Sequence, residues 1–480
     1  MISIKRYKPD FFIAGFIGLL ILCVILASVV ESFVVYTIPL FCLLAAWIIY
    51  QPKILYLFLF MVLPFSTELE LPGGLGLDFP TELILIVITA VGLLLGLSKS
   101  KEISSNYFTH PISLLIVVQL GWIALTTMTS TETTISLKYI IAKSWYIIPF
   151  YGFSFFALNQ KPDFIKHIAV LLIGVCLACL YVWFNHAQSG FSFKEINPSV
   201  YPIFRNHVNY AILILFTLPF LWLYIKDSNS RYKPVLVALV LFFLAAIFFS
   251  YTRAVIGAVF IGVVSSYIFK WRLALPAIVL SIIIASLITF QLINNNQFIE
   301  YAPDYNKTIS HQKFDDLINA TAKGQDISTM ERAYRWVAGY YMVKEKPIVG
   351  FGPGAFYSNY KEYAISLFKT YVSDNPEKST IHNYYFLLLV EQGFIGLFLF
   401  LAICITALLR GQYLYHQLVG FEKQLVMASL VCLIMILTIN VINDMVESIK
   451  TGSFFFLSLA FIVRADILFK KKIKEQKKVE

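Results

Sequence analysis

Arg332-Ala-Tyr-Arg-Trp336 and Pro347-Ile-Val-Gly-Phe-Gly-Pro-Gly354 lie inside a polar stretch, Asn294 to Ile381, that interrupts an otherwise apolar chain. The chain returns to apolar sequence at His382-Asn383. Around this break run repeated apolar segments close to the ~20 residues that cross a bilayer as a helix. Of the 480 residues, 59% are hydrophobic and 14% charged, with mean hydropathy +0.75. A soluble fold of that composition would leave large apolar surface in water. Inside lipid, each backbone polar group must be satisfied within its own segment. The expected fold is therefore all-α: a polytopic integral membrane protein of 12–14 transmembrane helices, with one large extracytoplasmic loop containing short helices.

Fourteen apolar segments can be counted: 11–30, 34–50, 53–66, 82–97, 111–127, 138–158, 164–184, 207–225, 234–250, 252–269, 273–293, 383–409, 423–442 and 452–468. The pair 34–50 and 53–66 is the weakest, since Pro52 and Pro64 suit a bent or re-entrant piece. Pro39, Pro149 and Pro219 fall inside spans, where a kink is tolerated if neighbours satisfy the freed carbonyls. The first span is not followed by an Ala-x-Ala-like site, so it does not read as a cleavable signal. The expected division is 1–200, N-terminal spans; 201–293, spans carrying two arginines at their ends; 294–381, the loop; 382–468, C-terminal spans; and 469–480, a basic tail.

Charge gives the orientation. With both termini cytoplasmic, the inner connections hold Lys53, Lys161, Lys226, Arg231, Lys270, Arg272, Arg410 and Lys423, and the tail adds Lys470-Lys471-Lys472-Ile-Lys474. The outer connections hold few cations beside Glu68, Glu70, Asp78, Asp444 and Glu447. That bias obeys the positive-inside rule and puts the large loop outside. It also accounts for the net charge of +10 without nucleic acid. All six cysteines fall in spans, and Cys176-x-x-Cys179 reads as small apolar packing rather than a redox or metal pair.

Within the loop, Ser328-x-x-Glu331 has the form of a capping box and predicts a helix from Met330 to about Lys344. Pro347 and the glycines at 350, 352 and 354 then read as a tight turn, because their spacing is not that of a phosphate-binding loop. A weak helical pattern covers His311–Lys323, and Tyr357–Tyr371 predicts a second loop helix with an aromatic face.

His382 is the leading catalytic candidate. A neutral imidazole can accept a proton from a sugar hydroxyl near pH 7; the alternative is an interfacial histidine bonded to a loop carbonyl. Arg205, in Phe204-Arg-Asn-His207, and Arg253, after Ser250-Tyr-Thr, sit at span ends on the same side. Either one alone can be explained by snorkelling. Together they suit diphosphate, because a guanidinium fork matches its oxygens. Arg332, Arg335, His207, Lys143 and Glu391 are candidate substrate contacts. Asp444 and Glu447, in the last outer turn, read as ordinary solvated loop. The histidine spacing specifies no metal site, and no cofactor is expected.

In their order and spacing, Phe204-Arg-Asn-His207, Tyr251-Thr-Arg253, Arg332-x-x-x-Trp336, Pro347-Ile-Val-Gly-Phe-Gly352 and His382-Asn383 followed by Glu391-Gln-Gly393 form a pattern. From about Tyr201 to Leu401 it resembles the bacterial O-antigen ligase and O-antigen polymerase superfamily. That resemblance implies an inverting, metal-independent membrane glycosyltransferase of lipopolysaccharide biosynthesis, in the bacterial inner membrane with its loop periplasmic. The implied donor is a glycan on undecaprenyl diphosphate, with Arg205 and Arg253 on the diphosphate, Arg332 assisting and His382 deprotonating the acceptor. The implied acceptor is lipid A-core for a ligase, or a second lipid-linked repeat unit for a polymerase. The ligase is the closer pattern. A non-enzymatic transporter is the rival of another class.

Overall fold

A computed structural model describes residues 51–71, 75–98, 105–228, 230–302, 327–370, 373–375 and 379–479. The expected spans 11–30 and 34–50, and the pattern at 311–323, lie outside the described residues. The chain divides into units 1–58 and 59–480, and the second carries the candidate site.

The helices are α1 Pro52–Val62, α2 Thr81–Ser98, α3 Pro111–Met128, α4 Thr133–Ile147, α5 Lys161–Ala187, α6 His207–Asp227, α7 Lys233–Phe249, α8 Arg253–Lys270 and α9 Ala274–Ile293. They continue with α10 Ile327–Glu345, α11 Tyr384–Gln417, α12 Gly420–Ile439 and α13 Ile449–Val479. Among the described residues, nine helices are long and apolar enough to span a membrane, and three more are apolar but shorter, including α7. Each expected apolar segment that falls in the described residues is helical. The fold is an all-α polytopic membrane architecture.

Local chemistry sets the helix ends. Asn206 caps α6 by accepting from the Asn209 N–H at 3.0 Å, and Asn383 caps α11 by accepting from Phe386 at 2.9 Å. Each thus satisfies an otherwise orphaned donor. At Pro149, α4 passes into a π-helical turn, Ile148–Phe153, and continues to Ala157. The wider turn accommodates a residue that has no N–H to offer. Helix α9 shows the lipid-facing extreme: Leu280, Ile284, Leu287 and Phe290 are all exposed. Helix α12 instead buries most of its length between α6, α8, α11 and α13.

Polar contacts define two ends of the bundle. At one, Arg464 donates to the Asn159 carbonyl at 2.7 Å, Lys161 pairs with Asp227 at 2.5 Å, and Gln412 accepts from the Ala274 N–H at 2.9 Å. At the other, Thr131 N–H donates to the Phe351 carbonyl at 3.0 Å, Tyr139 donates to Glu447 at 2.9 Å, and Tyr251 donates to the Phe191 carbonyl at 2.6 Å. The second end carries the described part of the large loop.

Two local features depart from the sequence expectation. Strands β1 Thr67–Leu71 and β2 Leu75–Phe79 form an antiparallel hairpin, Thr67 opposite Phe79 and Leu71 opposite Leu75. It lies in what read as a plain connection. The second loop helix does not form as one element. Tyr357–Tyr371 is broken into the turn Phe356–Asn359 and two 3-10 turns, Tyr360–Tyr363 and Ser366–Phe368. Tyr360 and Phe368 are both fully buried, and Tyr360 stacks on Phe356 with centroids 5.0 Å apart. Packing these aromatics inward, in a segment of modest helix propensity, overrides a continuous helix.

Candidate active site

The site is assembled by a break in α11. Gly393 has φ 69 and ψ −172 in the middle of that helix, a conformation essentially confined to glycine. The groups freed by the break are taken up by the 347–354 turn. Val390 and Glu391 carbonyls accept from the Phe351 and Gly352 N–H groups at 3.0 and 2.9 Å, and Phe394 N–H donates to the Pro347 carbonyl at 2.9 Å. Trp122 donates to the Gln392 carbonyl at 2.9 Å. Non-helical backbone is tolerated at membrane depth only when it is paired in this way. The glycines permit the approach: a Cβ on Gly393 would lie 1.9 Å from the Ile348 oxygen, and one on Gly350 2.4 Å from the Glu391 carbonyl carbon. The turn read from the sequence is therefore a latch that fastens the loop to α11.

Glu391 belongs to the same latch. Its buried carboxylate accepts from the Phe356 N–H at 3.2 Å, facing loop backbone. The helix runs unbroken from Tyr384 past Glu391, so this carboxylate stays two turns from His382.

His382 stands just before α11 with φ 53, in the left-handed region that few residues other than glycine adopt. Loop helix α10 holds it there. Arg335 donates to the Thr380 carbonyl at 3.2 Å and Trp336 to the Ile381 carbonyl at 3.0 Å. Tyr384 N–H, on the far side, donates to the Asn440 carbonyl at 2.8 Å. Arg335 is buried and also pairs with Glu331 at 3.3 Å. Glu331 in turn accepts from the Ser373 hydroxyl at 2.8 Å and from Thr370. The carboxylate read as the second half of a capping box thus ties α10 to Thr370 and Ser373.

Asp444 faces the imidazole. Its Oδ1 lies 3.8 Å from His382 Nδ1, too long for a hydrogen bond but within ion-pair range. Its Oδ2 accepts from the Thr380 hydroxyl at 2.5 Å. Burial pushes the Asp444 carboxyl up, but His382 and the Thr380 hydroxyl more than offset it, and the group is held below the usual carboxylate range. Asp444 and Glu447 are therefore not the solvated loop residues that their composition suggests, but half-buried and paired side chains. Glu447 accepts from Lys143 at 2.7 Å and from Tyr139 at 2.9 Å. Lys143 is itself buried and reaches the Tyr384 hydroxyl at 3.4 Å. Lys143 therefore faces a polar cluster with Glu447 and Tyr384, the latter two residues past His382 in the chain.

The arginines stand at the same end of the bundle. Arg205 is exposed, 3.7 Å from Glu68 on the hairpin, and its neighbour His207 bonds Asn197 at 2.7 Å. Lys450 donates to the Ile203 carbonyl, tying this segment to the start of α13. Arg253 opens α8 after Tyr251, which has φ 56. Gly262 packs on Met435 and Phe269 is bonded by His416, so Arg253 lies toward the end of α12 that leads to Asp444. Arg332 sits one turn before Trp336 on α10, half-buried.

Residues 237–401 match the family model described as O-antigen ligase. This segment is thus similar to the O-antigen ligase family. The matched segment contains Arg253, the α10 arginines, the latch, the Gly393 break and His382; Arg205, Lys143 and Asp444 lie outside it. No curated protein matches the chain.

Asp444 escaped the sequence reading because Asn443-Asp-Met-Val-Glu447 has the composition of any surface turn. Its partner Thr380 is 64 residues away. The hairpin did leave a signal, since Thr67-Glu-Leu-Glu-Leu71 alternates and Pro72-Gly-Gly74 follows it.

Proposed function

We propose that this protein is a membrane glycosyltransferase of the O-antigen ligase type, moving a glycan from undecaprenyl diphosphate to a hydroxyl of lipid A-core. The observation that carries the reading is His382, held in a left-handed conformation beside Asp444 at the bundle end that bears Arg205 and Arg253. With Nδ1 turned to Asp444, Nε2 is the nitrogen left to accept a proton. The acceptor hydroxyl gives its proton to Nε2 as its oxygen bonds the anomeric carbon from the face opposite the diphosphate. The bond from that carbon to the diphosphate oxygen breaks, and undecaprenyl diphosphate leaves with the electron pair. Arg205, Arg253 and Arg332 stabilise the growing negative charge. Because the diphosphate is a stable anion, the step calls for neither nucleotide nor metal. Arg335 and Trp336 act as positioning residues, since they hold the two carbonyls that precede His382.

Changing Arg205 or Arg253 to Ala is expected to lower kcat/KM by about 10²-fold or more. Lys should restore little, because an ammonium cannot form the fork. Full activity in Arg253→Lys would remove bidentate recognition from the account.

The site end is assigned to the periplasm from the basic residues that gather at the other end. Lys361, exposed on the loop, changed to Cys is expected to react with an impermeant thiol reagent in intact cells. Protection there, with labelling of the C-terminal tail, would invert the orientation. Ligase and polymerase differ in acceptor alone. Offering lipid A-core and a second lipid-linked repeat unit side by side should give a single transfer to lipid A-core. A ladder growing on the lipid carrier would make the protein a polymerase.

A further inference from the structure

We propose that the opposite end of the bundle carries a binding site for the headgroup of an anionic phospholipid, separate from the site at His382. A cavity of about 300 Å³ opens there, lined by His110, Pro111, Thr406, Arg410, Asp466 and Lys470. It lies where α3 begins and where α11 and α13 approach their ends, a full helix length from His382.

The cluster is cationic after its internal pairing is counted. Asp466 is buried and binds Arg410 through two bonds, at 2.9 and 2.6 Å, with Lys470 at 3.2 Å. His110 Nδ1 accepts from the Ile112 N–H at 3.2 Å, so the ring proton sits on Nε2, which donates to Asp466 at 3.0 Å. A neutral imidazole, two cations and one carboxylate leave one net positive charge at the cavity. Arg410 and Lys470 are each partly exposed and keep N–H donors beyond those given to Asp466. A phosphodiester oxygen supplies the acceptor and the charge that these donors lack. Basic pockets between membrane helices are a recurring headgroup site.

The surroundings favour a lipid over a free phosphate. Phe108 and Tyr413 are exposed beside the cluster, and Tyr413 lies under the Arg410 guanidinium at 4.6 Å. Such aromatics mark the headgroup level of a bilayer. One turn into α3 from Pro111 begins an exposed apolar stripe, Leu114, Val117, Val118 and Leu125, spaced to form one helix face. A charged recess capping a lipid-facing stripe matches a headgroup with its acyl chains. Beyond the cavity, Lys471, Lys472 and Lys474 extend the positive surface along α13.

The test is native mass spectrometry of the purified full chain, released from micelles doped with equal phosphatidylglycerol and phosphatidylcholine. The wild type should retain phosphatidylglycerol in preference. Lys470→Gln, which leaves the Asp466–Arg410 pair in place, should reduce that retention about fivefold, the effect of one lysine near an anionic surface. Millimolar inorganic phosphate should compete little. Arg410→Gln should lower retention further, and if it does not fold the Lys470 variant still decides. Equal retention of the two lipids, or unchanged retention in folded Lys470→Gln, would overturn the proposal. Displacement of the lipid by inorganic phosphate would show a free-anion site and overturn it as well.

Discussion

Replacing His382 with Ala should lower turnover by about 10²–10⁴-fold, the usual worth of a general base. Donor binding should stay nearly unchanged, since in the proposed mechanism the imidazole acts on the acceptor proton chiefly in the transition state. Steady-state kinetics with titrated donor would separate the two effects. A rise in KM at constant kcat would make His382 a binding residue. Asp444→Asn should produce a smaller loss of the same kind, because the amide no longer stabilises an imidazolium. The pH dependence has a definite sign. Asp444 is held below its ordinary range, so its contribution is complete above the unfolded carboxylate pKa of about 4 and is lost as pH falls through the lowered folded value.

Gly393→Ala is expected to destabilise the protein by about 3 kcal/mol or more. The new Cβ would meet the Ile348 oxygen at 1.9 Å in a backbone region that is strained for any residue but glycine. Relief requires either α11 to straighten or the 347–354 turn to withdraw. Either movement unfastens α10 from His382, so activity should fall along with thermal stability in detergent. Gly121→Ala is the control. A Cβ there has nothing within 4 Å, and alanine suits a helix interior better than glycine. Equal stability of the two variants would show that the latch does not hold the loop.

The apolar spans were legible because lipid imposes one rule on every crossing segment, and length with hydropathy reads that rule directly. Helix α10 was legible because helix-forming residues run from Met330 to Lys344; the capping box did not mark its start, since the helix already includes Ile327 and Ser328 and Glu331 turns to Arg335, Thr370 and Ser373. What the chain hides is pairing over long separations. Gly350, Gly352 and Gly354 announce a tight turn but not that it closes on a break at Gly393, which follows Glu391-Gln392 in a segment whose length and hydropathy are otherwise those of a span. Arg335 gave no hint that it would be buried against Thr380, and Asp444 none that it would face His382. The aromatic segment 357–371 misled because its spacing suits a helix, while the loop core demands Tyr360 and Phe368 in a tighter path.

We propose that the His382 end of this bundle transfers a glycan from a lipid diphosphate to a hydroxyl. The most direct measurement gives purified protein an undecaprenyl-diphosphate-linked glycan and lipid A-core, with chelator present and no nucleotide, and follows both products by mass. The expected result is a new lipid A-core glycan with inverted anomeric configuration, one undecaprenyl diphosphate released per transfer, and loss of both in His382→Ala. Release of neither product with any hydroxyl acceptor, while the His382→Ala protein still moves a lipid-linked glycan across a vesicle membrane, would contradict it.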